Sequence, residues 1–134
     1  MRFIALEQHH LRLLRPQDAQ AHEVTDEALS APVGQGWTAV VDGLPVCCGG
    51  IVPVWPGRAY AWALLDRDAG PHMLALTRGI RSLLAGAGWR RLEMAVDAEF
   101  LPGKRWAEML GFRAEALAPK YLPNGHDAWV FVRV

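Results

Sequence analysis

Apolar residues change period several times along the chain, and each change marks an element. Leu11 to Leu14 reads as an opening strand. Pro16 is placed for a first helical position, so Gln17 to Leu29 is expected to carry one or two short helices. Trp37 to Val41 and Pro45 to Val54 are β-rich runs around Asp42-Gly43, a dipeptide suited to a primed hairpin turn. In Arg58 to Leu65, Ala59, Ala61 and Ala63 alternate with Tyr60, Trp62 and Leu64, giving a strand with one small-residue face and one bulky face. Met73, Leu76, Thr77, Ile80, Leu83, Leu84 and Ala87 then recur at spacings of three and four, the stripe of a helix ended by Gly86 or Gly88. Arg91 to Val96 alternates again, and a short helix from Pro102 to Leu110 stops at Gly111. Phe112 to Leu122 and Ala128 to Val134 flank Asn124-Gly125, a second hairpin signal.

Strand, helices, hairpin and strand, long helix, strand, short helix, hairpin is the order of an α/β (α+β) fold, a mixed sheet with helices on its faces. No repeat or linker interrupts the 134 residues, so a single domain spanning positions 1–134 is expected. Composition agrees: 51% hydrophobic and 21% charged residues lie within the globular range. A formal net charge of +0 gives no general attraction to nucleic acid or anionic lipid, so neither is expected as a partner. The apolar stretch from Val46 to Val54 is broken by Gly49, Gly50 and Pro53 and is too short for a bilayer span. The first residues lack a signal-peptide core, so a cytoplasmic protein is expected. Cys47 and Cys48 are neighbours, which offers no disulfide framework and reads as two small buried residues.

Trp106-Ala-Glu-Met-Leu-Gly-Phe112 resembles the short helix ending in Leu-Gly-Phe of the GCN5-related N-acetyltransferases (GNATs), and Tyr121 to Asp127 resembles that family's last hairpin. The resemblance is strongest from Trp37 to Val134. It implies a GNAT-type, mostly antiparallel central sheet with helices on both faces, acetyl-CoA as co-substrate and an amine as acceptor. Val96-Asp97 with Phe100, followed by Gly103-Lys104-Arg105-Trp106, is similar to divergent phage-encoded GNAT-like proteins, which implies a phage or prophage origin, with virion association left open. The family's phosphate loop, Gln/Arg-x-x-Gly-x-Gly/Ala, is matched by Arg67 and Gly70, whereas His72 replaces the last small residue and Pro71 precedes it. Amide N–H groups at a helix N-terminus attract a pyrophosphate. Because Pro71 has no N–H, Ala69, Gly70, His72 and Met73 form the expected cradle. The resemblance also assigns the backbone of Leu64 and Leu65 to the pantetheine arm. The plain alternative is that Gly70-Pro71 merely opens a helix.

A lysine-like amine with a pKa of about 10.4 is only about 0.04% neutral at pH 7, so acetyl transfer benefits from a base. In the family's Val-x-x-x-Asn-x-x-Ala-x-x-x-Tyr pattern, the Asn binds the cofactor and the Tyr protonates the thiolate. Counting from Val96, Phe100 stands in the Asn slot, Gly103 in the Ala slot and Ala107 in the Tyr slot. Glu93 and Asp97 are therefore the candidate catalytic carboxylates, weighed against a solvated strand-face charge and a turn cap respectively. His72 is a further candidate base or phosphate contact. His9-His10 lacks spaced partners, so no metal is expected and a polar loop or strand end is the reading. Six tryptophans are scattered over separate elements and read as packing residues, with Trp55 in its Pro-flanked loop the exposed one. The acceptor would be shaped by Gln17 to Ser30 and Lys120 to Asp127. A non-catalytic phage structural or interaction protein of the same fold is the alternative, and a homodimer stays open.

Overall fold

The computed structural model describes all residues, Met1–Val134. In chain order it contains β1 (Arg2–Ala5), α1 (Gln8–Leu13), a 3₁₀ turn (Asp18–Glu23), α2 (Asp26–Ser30), β2 (Gly36–Val41), β3 (Leu44–Trp55) and β4 (Arg58–Leu65). A second 3₁₀ turn (Gly70–His72), α3 (Met73–Ala85), β5 (Arg91–Asp97), α4 (Leu101–Met109), β6 (Arg113–Ala118) and β7 (Ala128–Arg133) follow. The strands lie in the order β1-β2-β3-β4-β5-β7-β6. β4 pairs with β5 in parallel, whereas β1–β2, β2–β3, β5–β7 and β6–β7 are antiparallel. This is the mostly antiparallel α+β sheet that the GNAT resemblance implied, and the mixed sheet of the element order. No helix is long and apolar enough to cross a membrane.

Two compact units are described in turn: Met1–Val52 with Trp62–Leu76, and Pro53–Ala61 with Thr77–Val134. In the first unit, Leu6, Leu11, Leu14 and Cys48 form a core against which Leu29, Val33, Trp62 and Leu64 pack. The expected strand at Leu11 to Leu14 is instead the end of α1 and the residue after it. Leu11 and Leu14 are buried while Leu13 is exposed, a spacing of three that suits a helix and defeats strand alternation. A capping box starts α1: the Glu7 N–H donates to His10 Nδ1 at 3.1 Å and Glu7 reaches back to the N3 backbone. His9-His10 is thus helical, and His10 is buried with Thr38 Oγ1 2.7 Å from the same Nδ1. Pro16 does not open a helix; it forms an isolated bridge with Asp66. The Asp42-Gly43 turn is as expected, both residues having positive φ (51° and 79°). Cys47 and Cys48 are buried and free, and burial pushes the Cys48 thiol up to about 11.

In the second unit, Ile80 and Leu84 of α3, Leu92 and Val96 of β5, Ala107 of α4 and Phe131 and Val132 of β7 are buried. Trp106 Nε1 donates to Thr77 Oγ1 at 2.9 Å, tying α4 to α3. α4 ends in a Schellman motif: Phe112 N–H bonds to Ala107 O, Gly111 N–H bonds to Glu108 O, and Gly111 has φ +93°. Trp55 is exposed (56%), with the Arg58 guanidinium 4.7 Å from its ring centroid. β6 and β7 are joined by residues 119–127, so the expected two-residue Asn-Gly turn is replaced by a longer connection with positive φ at Lys120 and Gly125.

Candidate functional site

The first unit carries the loop that follows β4. Its anchor is Asp66, only 4% exposed, which accepts from the N–H groups of Arg15 (2.7 Å) and Asp68 (3.0 Å) and from Arg15 Nη2 (3.0 Å). Burial alone would raise the Asp66 pKa, but these donors outweigh it and the carboxyl is held below its usual range. Arg15 Nη2 also reaches Asp68 Oδ2 at 2.8 Å, so one guanidinium spans the turn. Arg67 N–H donates to Arg15 O, leaving the exposed Arg67 side chain on the outside of the loop.

Of the four amides expected to cradle an anion, three are committed within the turn. Ala69 N–H donates to Asp66 O (2.9 Å), His72 N–H to Ala69 O (2.8 Å) and Met73 N–H to Gly70 O. Gly70 keeps its N–H, is exposed, and has no atom within 4 Å of where a Cβ would stand. The arrangement offers an anion one amide at the start of α3 with Arg67 nearby in sequence, a smaller cradle than the sequence implied.

The strand before the loop is also engaged. Leu65 N–H donates to Gln20 Oε1 (3.0 Å), Gln20 Nε2 donates to Ala63 O (2.8 Å), and Gln17 N–H donates to Leu65 O (3.1 Å). Asp66 N–H bonds in the opposite direction, to Val46 O of β3, so Ala63 and Leu65 present the edge of β4 that faces away from β3. Leu64 has the intermediate parity and packs its side chain on the Leu6–Leu11–Leu14 core.

The second unit holds both candidate carboxylates. Glu93 and Asp97 share one face of β5, about 13 Å apart along the strand. Glu93 is neither a solvated surface charge nor a free base: it is 8% exposed, its two oxygens accept from Arg58 Nε (2.9 Å) and Nη2 (3.0 Å), and Arg91 Nε adds a third bond at 2.6 Å. Arg91 continues to Glu115 of β6. The Arg58 bonds, opposed by burial and aided by Arg91, lower the Glu93 pKa. A carboxylate so held has little tendency to accept a proton, so Glu93 is a structural lock between β4, β5 and β6.

Asp97 does cap its turn, accepting from Glu99 N–H at 2.9 Å, but it also holds a histidine. His126 Nδ1 lies 3.1 and 2.9 Å from the two Asp97 oxygens and 3.0 Å from Glu99 Oε2, and Asn124 accepts the His126 N–H at 3.0 Å. The Asp97 bond raises the His126 pKa against a smaller opposing effect of burial. Nε2 takes no part in these bonds. Sequence reading placed His126 only within an acceptor-shaping segment; the pairing depends on the β5–β7 register, which sets Asp97 opposite Ala128 at the base of the loop. Gln20 was equally hidden, since nothing local links it to β4.

The diverged slots are coupled by packing. A Cβ at Gly103 would stand 2.8 Å from Phe100 Cδ2 and 3.0 Å from Val96 Cγ1, so the Phe100 ring occupies the space that alanine would need. Ala107 is fully buried and presents no polar group.

No family model and no curated protein matches the sequence. Solved structures do match the fold. The ribosomal-protein-S18-alanine N-acetyltransferase from Escherichia coli superposes with a TM-score of 0.74 at 17% identity, covering 98% of this chain and 91% of that one. Ard1 from Thermoplasma volcanium gives 0.72 at 14% identity, covering 98% and 95%. A GNAT-family acetyltransferase from Bacillus anthracis gives 0.69 at 14% identity, covering 100% and 95%. At these identities the likeness establishes the fold, which is that of the GNAT acetyltransferases.

Proposed function

We propose that this chain is an acetyl-CoA-dependent N-acetyltransferase acting on a primary amine. The observation that carries the reading is the likeness to N-acetyltransferase structures over nearly the whole of both chains. Acetyl-CoA supplies the acetyl group as a thioester; the amine nitrogen forms the new N–C bond, the C–S bond breaks and CoA departs as the thiol. In this reading Arg67 and the Gly70 N–H bind the pyrophosphate, favoured by the positive end of α3. Ala69, His72 and Met73 shape the turn through their own bonds, and of the two β4 residues the resemblance assigns to the pantetheine arm, Leu65 presents its backbone on the edge away from β3, whereas Leu64 has the opposite parity and is left out. Asp97 is a positioning residue: it holds Nδ1 of His126 so that Nε2, once neutral, accepts the proton of the incoming ammonium. Glu93 is left out of the chemistry.

The second reading is a non-catalytic GNAT-fold phage structural or interaction protein. The observation that favours it is the pair of apolar residues, Phe100 and Ala107, in slots where the family carries Asn and Tyr. Calorimetric titration with acetyl-CoA separates the outcomes. Binding near about 10 μM, roughly −7 kcal/mol, that weakens in Gly70→Glu supports the transferase reading and leads to an amine screen. The open space at Gly70 means that the variant has room to fold. No binding at millimolar acetyl-CoA overturns the transferase reading.

A further inference from the structure

The main-chain groups of Ala63 and Leu65 on the open edge of β4 are those that an extended, amide-bearing ligand must use if it adds to this strand. They are already taken, and by a primary amide. The Gln20 carboxamide accepts from Leu65 N–H at 3.0 Å and donates to Ala63 O at 2.8 Å, satisfying two groups of the edge with its two halves. Gln17 N–H covers Leu65 O at 3.1 Å. A secondary amide of an added chain presents the same donor and acceptor, so Gln20 imitates the contact that strand addition makes.

Two features mark this as a releasable contact. The turn that carries Gln20 is a single 3₁₀ segment, Asp18–Glu23, in which no residue is fully buried, so lifting it exposes little apolar surface. Within the same turn, both imidazole nitrogens of His22 are shielded from solvent and neither has a hydrogen-bond partner. Buried polar atoms without partners are a cost of the closed arrangement, one that a turn opened to solvent does not carry. The Gln20 carboxamide also accepts from Gln17 Nε2 (3.0 Å) and donates to Glu23 Oε2 (3.3 Å), so two of its bonds stay within residues 17–23 and do not depend on β4.

We propose that Asp18–Glu23 is a strap whose Gln20 carboxamide occupies the β4 edge and must leave it before a chain of secondary amides, such as a pantetheine arm, pairs there. The inference rests on the acetyl-CoA reading. Its test is calorimetric titration of wild type, Gln20→Ala and Gln20→Glu with CoA and with 3′,5′-ADP, which keeps the nucleotide end and lacks the arm. Gln20→Glu keeps the side-chain length but sets a carboxylate against the Ala63 carbonyl, so it opens the strap by repulsion. Both variants are expected to bind CoA about 3- to 10-fold more tightly, the effect of removing one or two competing bonds, with 3′,5′-ADP affinity unchanged. In ¹⁵N spectra of the wild type, CoA should shift the Leu65 amide and the Gln20 side-chain amide together. Unchanged or weaker CoA binding in both variants, with 3′,5′-ADP still bound, overturns the strap alone. Failure of every protein to bind either ligand overturns the acetyl-CoA reading and the strap with it.

Discussion

Phe100 and Gly103 are set by one contact. The Phe100 ring lies where a Gly103 Cβ would come within 2.8 Å, so the aromatic residue requires the glycine one turn into α4. Gly103→Ala gains about 1 kcal/mol of helix propensity and loses about 1–3 kcal/mol to displacement of the ring. A net loss of about 1 kcal/mol in urea unfolding is expected, and Phe100→Leu in the same chain should restore it; additive losses in the double variant would show that the two sites are not coupled. At His126 the consequence is chemical. Its raised pKa keeps the ring protonated to higher pH, so in the proposed transferase reaction the rate should rise only as pH climbs through a value above 6.5, and His126→Gln should flatten that limb in a kcat/KM profile. Asp97 drew attention in the sequence from its place at a strand end. Its partner did not, because Asp97 and His126 meet only through strand register. The solvated strand-face charge weighed for Glu93 missed its partner for the same reason, since the bidentate donor, Arg58, comes from another strand.

Among the elements, those with a strong local signal are the ones the sequence places well. β4 and α3 follow from alternation and from a three-four stripe, and the α4 stop follows from Gly111, whose φ of +93° is the left-handed turn of a Schellman motif. Gly111→Ala should therefore lower stability by about 1–2 kcal/mol with no change in CoA binding, measured as a shift in unfolding midpoint at constant m-value. The opening strand was placed at Leu11–Leu14, on the end of α1, because Leu11, Leu13 and Leu14 form a run too short to fix its own period. The decision falls to tertiary burial of Leu11 and Leu14 and to the Glu7–His10 cap. The Asn124-Gly125 signal failed where Asp42-Gly43 succeeded. Between β6 and β7 the chain spends residues 119–127 placing Asn124 and His126 against Asp97, which a two-residue turn has no length to do.

For the molecule as a whole, the ionisable groups set opposing pH limits on folding. Asp66, Glu93 and Asp97 all have folded pKa values below their ordinary ones, so the stability they contribute is complete above about pH 4.5 and is lost as pH falls through the folded values. His10 acts in the same direction at higher pH. Burial first, then the neighbouring His9 charge, lowers its pKa below 6.5, and Nδ1 must stay unprotonated to accept from Glu7 N–H. Its contribution is therefore lost as pH drops below 6.5. His126 opposes this: with its pKa raised, its contribution is full below 6.5 and disappears as pH rises through the folded value. Stability should consequently peak near neutrality, with His10 and Asp66 on the acid side and His126 on the alkaline side. Asp66 gives the sharpest test because its carboxylate is nearly inaccessible and accepts from two backbone N–H groups and a guanidinium. Asp66→Asn keeps the shape but loses the charge, and should cost about 2–4 kcal/mol at pH 7. Followed by urea unfolding from about pH 3 to about pH 7, the gap between wild type and variant should close toward the acid end, where protonation removes the same charge from the wild type. A gap that stays constant across that range would mean that packing, and not the ionised carboxylate, anchors the loop.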